Sequence, residues 1–331
     1  MAKKNQHYIP RFYLRYFSFM KNLKQIGIYN VNTNFFKQDV PLKHQCSKDF
    51  IYGEDEKIEN FLSKLEGEFD SCIKQIIFTE DLLKKNKEEL HILLAFLVIT
   101  EMRSLTSIEN MKSFHARVNS LDAEYNFPNL GHQRIVDIIF SVFLDVLPTV
   151  LDLEYKLFKN ETKTAFISSD FPIAKYNLLF ENLPKYFSST GYRSKGLLVF
   201  IPINPFLTVV FYDKSTYKIG NKKDNVIPIV NKFEVDQLNL LQALNANEIV
   251  FFNELINKEY IHLLISKANK YNKPNIPHTY KAKLLKENGE EGEIVVNKQN
   301  TVHIGLKISY IKIHSGSKKS SVDPLRINLR N

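Results

Sequence analysis

The side chains best suited to chemistry in this chain are a set of carboxylates, one arginine and one histidine. Glu59, Ser63, Glu66 and Asp70 fall at i, i+4, i+7 and i+11, so on a helix they form a single acidic stripe. Such a stripe binds a divalent cation, holds a basic residue, or is the ordinary flank of a solvated helix. Arg103 closes the most apolar run of the chain. A bare guanidinium is costly to bury there, so it must be paired, with Glu59, Glu66 or Asp170 in a structural role or with a phosphate in a functional one. Ser169 and Asp170 follow a β-rich stretch and precede Pro172. A strand end at a crevice suits a metal ligand or general base, and the same Asp suits a turn fixed by the proline. His7 sits among Tyr8, Arg11, Tyr13 and Arg15. It could move a proton near neutral pH, and interleaved aromatic and Arg side chains could stack on bases; alternatively the segment docks, with Phe12 and Leu14 buried.

The elements that must position these groups follow from hydrophobic periodicity. Ile58, Phe61, Leu62, Leu65, Phe69, Cys72, Ile73, Ile76 and Ile77 recur with a 3.6-residue period, which predicts an amphipathic helix. Asn86 and Glu89 form a capping pair for a second helix over 87–105. That helix is apolar nearly all round, which marks the central buried element. Helices over 106–125 and from His132 to Leu147 follow, the latter stopped by Pro148. Strands are expected at Gln25 to Asn30 and Asp49 to Tyr52. A hairpin is expected from 151–157, turning at Asn160 into 164–167. Further strands lie at 197–203, 207–212, 226–230 and 248–252, and further helices at 235–245 and 256–269.

Strands, then helices, then strands again predict an α+β fold, a largely helical core packed on a mixed or antiparallel sheet. Alternation through Val302, Ile304, Leu306, Ile308 and Tyr310 predicts one more strand over 300–314. The reading is therefore a core domain over 1–272, a small C-terminal β appendage over 278–314 and a loose tail over 315–331.

Composition limits the function classes. The 331 residues, 44% hydrophobic and 24% charged, are ample for a sizeable core. The formal charge of +9 is uneven: residues 1–38 carry Lys3, Lys4, Arg11, Arg15, Lys21, Lys24 and Lys37 and no acid. A basic face suits phosphates and nucleic acid, and it is also what a Lys-rich surface looks like. No apolar run approaches a membrane span and no signal peptide opens the chain, so a cytoplasmic location is expected. Cys46 and Cys72 have no zinc spacing and are expected as free buried thiols. Phosphate-binding loops, dinucleotide fingerprints, nucleophile elbows and zinc-protease motifs are all absent from the sequence.

His7 through Ser18 resembles the opening of a bacterial family, domain of unknown function 4238. Four further marks occur in the same order: Ile58-Glu59 through Leu65-Glu66, Phe96 to Arg103, Phe166-Ile167-Ser168-Ser169-Asp170-Phe171-Pro172, and Val199 to Pro205. The likeness covers residues 7–255. This chain departs from the family pattern where Gln6 replaces a first histidine, Arg11 a glutamine, and Glu101 another glutamine. The resemblance points to proteins of mobile and defence-associated loci, including a plasmid-borne phage abortive-infection protein. It implies an antiviral effector, a nuclease acting on RNA or DNA with Mg²⁺. His7, Glu59, Glu66, Arg103 and Asp170 would be its catalytic set. Glu66 and Asp170 would hold the metal, and Tyr8, Arg11, Arg15 and Ser169 would bind substrate. The alternative is a non-catalytic sensor or binding module that uses a basic surface, with a phage protein as trigger.

Overall fold

The computed structural model describes residues 4–20, 22–82, 87–121, 128, 130–181, 188–274, 277–285, 291–300, 302–317 and 328–330. The chain opens with β1 (Asn5–His7), the short helix α1 (Arg11–Arg15), β2 (Gln25–Asn30), β3 (Phe35–Pro41) and β4 (Ser47–Asp49). A helical block follows, α2 (Lys57–Thr79), α3 (Lys87–Met102), α4 (Leu105–Leu121), α5 (His132–Ser141) and α6 (Phe143–Val146). Strands return as β5 (Glu154–Asn160), β6 (Ser168–Ser169), β7 (Ala174–Tyr176), β8 (Leu198–Asn204), β9 (Leu207–Tyr212), β10 (Tyr217–Ile219) and β11 (Val226–Ile229). The chain ends through α7 (Lys232–Asn245), β12 (Ile249–Phe252), α8 (Lys258–Ala268), the hairpin β13 (Pro277–Leu285) and β14 (Glu291–Gln299), and β15 (Ile311–Ile313).

The fold is α+β. A five-stranded mixed sheet runs in the order β11-β5-β9-β8-β7, with β11 parallel to β5 and the other pairs antiparallel. A four-stranded antiparallel sheet has the order β3-β2-β12-β6. In the larger sheet the two-residue side-chain period serves two interiors at once. Val199, Ile201, Val209 and Phe211 face the core built by α2 and α3, whereas Leu198, Phe200, Val210 and Tyr212 face the core built by α7 and α8. Burial on both faces is why these strands read as continuous apolar runs. The expected central helix is α3, with Leu94, Phe96, Leu97, Val98 and Ile99 buried. Glu89 is buried on it and accepts the Tyr155 hydroxyl, while Asn86 lies outside the described residues.

Local expectations fail where tertiary partners intervene. The hairpin expected at Asn160 does not close. Asn160 does form a turn, accepting the Thr162 N–H and donating to the Thr164 carbonyl. Both edges of β5 are already taken, by β9 and by β11, so the chain crosses to the other sheet and pairs as β6 with β12. The strand expected at 49–52 ends at Asp49, because Phe50 turns with φ +51°. The strand expected over 300–314 is laddered only at 311–313, on β10. Residues 302–308 form no ladder, Gly305 turns with φ +65°, and side chains take their N–H groups: Ile304 donates to Tyr176, Gly305 to Glu181 and Lys307 to Gln237. Ile304, Leu306 and Ile308 are buried in the second interior, so the stretch acts as a strap on the core. Arg330 is likewise anchored, paired with Asp152 at 2.7 Å and donating to the Thr149 carbonyl, where a loose tail was expected. β3 was not expected because its faces are largely solvated, and the β appendage expected over 278–314 holds the hairpin β13–β14, whose two strands were not separately expected. Among the described residues no single helix is long and apolar enough to cross a membrane.

Candidate nucleic-acid interface

The N-terminal motif is fixed by a buried polar brace. Arg103, 1% exposed, extends from the end of α3 and reaches three partners. Its Nη1 donates to Glu66 Oε1 at 2.7 Å, its Nη2 to the His7 carbonyl at 2.6 Å and its Nε to the Tyr52 hydroxyl at 3.3 Å. The Tyr52 hydroxyl donates back to the Arg103 carbonyl at 2.9 Å. Burial alone would push the guanidinium pKa down, but the Tyr52 phenol and the Glu66 carboxylate outweigh it and hold the pKa up. The Tyr52 phenol is pushed up to about 12, chiefly by burial. Gln6, fully buried, donates to the Gly53 carbonyl at 3.0 Å and accepts the Tyr52 N–H at 2.7 Å. Gly53 must be glycine here: its φ is +96°, and a Cβ would lie 1.5 Å from the Gln133 amide oxygen. Glu59 lies close enough to the Tyr52 phenol to raise its pKa. At the far end of the stripe Asp70 accepts the Tyr16 hydroxyl. The acidic face of α2 is therefore turned to Arg103, Tyr52 and Tyr16.

Two further networks lock the same region. Tyr13, fully buried, donates to the Pro202 carbonyl at 2.6 Å and shares a 2.8 Å hydrogen bond with Ser168. One phenol thus joins three of the sequence marks. Asp170 is 3% exposed and accepts the N–H groups of Asn247, Glu248 and Ile249 at 2.8 to 3.1 Å. Burial nevertheless outweighs those bonds and raises its pKa to about 6. Ser169 is sealed, donating to Gln242 Oε1 and accepting the Phe171 N–H. Gln242 in turn donates to the Pro172 carbonyl, and Asn239 and Asn245 on the same face of α7 bind the backbone of residues 165, 167, 171 and 173. These amides satisfy a segment that has almost no strand partner. Tyr8 is buried, its N–H donates to the Cys46 carbonyl at 2.8 Å, and burial raises the pKa of the Tyr8 phenol and the Cys46 thiol, with Asp170 adding to both.

The accessible consequence of this bracing is a basic groove. In α1 the buried Phe12, Tyr13 and Leu14 hold the short helix against the core, which leaves Arg11 and Arg15 on its exposed face at i and i+4. Opposite them Asn22 Oδ1 accepts the N–H groups of Lys24 and Gln25, and the Leu42 N–H donates to the Lys24 carbonyl. The resulting groove, about 810 Å³, is lined by Arg11, Arg15, Lys24 and Lys43, with Asn22, Leu23, Gln25, Pro41 and Leu42. None of these lining residues is acidic. A neighbouring cavity of about 400 Å³ shares Arg15 and Leu23 with it and adds Lys74.

A family model described as protein of unknown function, DUF4238, matches residues 5–255. The chain belongs to the DUF4238 family. No curated protein and no solved structure matches it. In this DUF4238 member Glu66, Arg103, Tyr52 and the His7 backbone come together, with Glu59 near. Asp170 and Ser169 belong to a separate staple on α7 and β12. The pairing of Glu66 with Asp170 as metal ligands is not what the structure forms: Glu66 is matched to Arg103, and Asp170 to three amides. Among the described residues no group of three His, Cys, Asp or Glu side chains is placed to hold a metal ion. Of the expected substrate-binding residues, Arg11 and Arg15 line the groove, whereas Tyr8 and Ser169 are buried. Gln6, Tyr52, Lys43 and Lys74 were not anticipated as site residues, and Lys24 was expected only as part of the basic N-terminus. The amides Asn239, Gln242 and Asn245 did carry a signal: they recur every three residues on the otherwise apolar second half of α7, Leu238 to Asn245.

Proposed function

We propose that this DUF4238 member is a nucleic-acid-binding protein of phage defence that holds the phosphate backbone of a single strand in the groove under its N-terminal motif. The observation that carries this reading is the acid-free lining formed by Arg11, Arg15, Lys24 and Lys43. Four cations around one concavity, with no carboxylate to neutralise them, form an electrostatic tract for phosphates. The volume suits a few nucleotides and not the broad face a duplex needs. The polar cluster around Arg103 supports binding over catalysis, since its guanidinium is sealed and already matched to a carboxylate and a carbonyl. In this reading the cluster acts as a positioning brace for α1. The defence role rests on the sequence's likeness to abortive-infection proteins. Fluorescence anisotropy with short single-stranded RNA and DNA tests the binding: submicromolar to micromolar affinity at low salt is expected, and no binding to either polymer would refute it. Incubating the same oligonucleotides with Mg²⁺ separates a binder from a nuclease, because a binder leaves them intact.

A further inference from the structure

The helix α1 lies between two basic flanks. On one side it packs on the turn Leu42–His44, which carries Lys43, and on the other on α2, which carries Lys74. The groove adds Lys24 and Lys43 to the arginines of α1, and the cavity of about 400 Å³ beside it adds Lys74. Arg15 and Leu23 line both, so the two hollows meet at the end of α1. Arg11, Arg15, Lys24, Lys43 and Lys74 are all exposed, and among the described residues none of their charged ends has an ion-pair or hydrogen-bond partner. For Lys74 this runs against its own helix. Asp70 lies one turn before it, the spacing and order that favour an ion pair. The Asp70 carboxylate instead accepts the Tyr16 hydroxyl, which leaves the Lys74 ammonium unmatched at the cavity it shares with Arg15.

We infer that the strand held in the groove does not end there: it passes Arg15 and runs on over α2, with a further phosphate on Lys74. This extension rests on the groove reading. Arg11 and Arg15 are about 6 Å apart along the helix axis. Of the two, it is Arg15 that also lines the second cavity, so the row of cations runs toward α2. Like charges set together repel until anions lie among them, and here five stand in one tract without a partner. A tract that crosses α1 from one flank to the other fits a polymer of phosphates better than a single nucleotide. Asp70 is the one acid beside the path, and its charge opposes the strand there. Contacts to phosphate position a strand without reading it, so Lys74 adds affinity and no base preference.

The test measures oligothymidylates of increasing length by anisotropy over a range of salt, with wild type and Lys74→Ala. A strand confined to the groove should give the two proteins the same salt slope. Once the strand outgrows the groove, the wild-type slope should be steeper than that of Lys74→Ala by about 0.7, so that between about 50 and about 200 mM salt the wild type loses about 2.5-fold more affinity than the variant. Asp70→Asn, which keeps an acceptor for Tyr16, should tighten the long strand and leave the short one unchanged. Thermal melts check folding, and Lys74→Ala, at an exposed position, carries the test if Asp70→Asn loses stability. Equal slopes for wild type and Lys74→Ala at every length would overturn the path over α2 and leave the groove standing. No binding at any length would remove the groove and this inference with it. A thymidine monophosphate that binds as tightly as the long strand would overturn the assignment to a polymer.

Discussion

Replacing Arg11 and Arg15 by alanine should change how salt acts on single-strand binding, and the size of the change follows from the lining of the groove. Four cations line it. If each neutralises one phosphate, the log–log slope of affinity against salt is about −0.7 per cation for a single strand, or about −2.8 in total. A rise from about 50 to about 200 mM salt then weakens the wild-type protein by about 50-fold. Without Arg11 and Arg15 the slope becomes about −1.4 and the loss over the same range about sevenfold. Both side chains are exposed, so the variant should fold, with stability changed by no more than about 0.5 kcal/mol. Anisotropy titrations at four or five salt concentrations give both slopes directly. A variant slope equal to that of the wild type, in a protein with an unchanged melting temperature, would show that phosphates do not sit on α1.

Arg103→Met should destabilise the protein by about 3 to 5 kcal/mol, because the Glu66 carboxylate and the His7 carbonyl lose a buried partner; chemical denaturation measures it, and a loss below 1 kcal/mol would contradict the brace. Gly53→Ala should cost about 1 to 3 kcal/mol, since only glycine adopts its backbone angle without strain; an unchanged midpoint of denaturation would tell against it. The pKa of Asp170 is raised to about 6, so its protonated form is favoured in the folded protein relative to the unfolded chain. The stability it contributes is present below about pH 4 and is lost as pH rises through 6, by on the order of 3 kcal/mol. An NMR titration placing the Asp170 midpoint below 4 would show that its three amide donors outweigh burial. Ending the chain at residue 300 should leave an aggregating protein, because Ile304, Leu306 and Ile308 belong to the second interior; a stable monomer would restore the view of the C-terminus as an appendage.

Much of the architecture was legible from local pattern. The apolar period of α2, the unbroken apolarity of α3 and the strand pair β8–β9 are properties of single segments. A helix or strand that buries its own face announces it in its own residues. The same holds for the family marks and for Arg103, whose position at the end of a buried helix required a partner. Which partner it took was a question of space. Glu59, Glu66 and Asp170 were equivalent acids in one dimension, and only the packing of α2 across α3 put Glu66 within 2.7 Å.

The sequence alone therefore determined the α+β class, the central helix, a basic N-terminus and the need for a counter-charge at Arg103, because each follows from the composition or period of one stretch. Tertiary structure decided the rest. It sealed Tyr8 and Ser169, set Asp170 to capping three amides, made an expected strand a strap, and gathered Lys24 and Lys43 opposite Arg11 and Arg15. Those outcomes depend on which distant segments share a volume. Side-chain type shows what a group needs, and only the packed chain shows which neighbour supplies it.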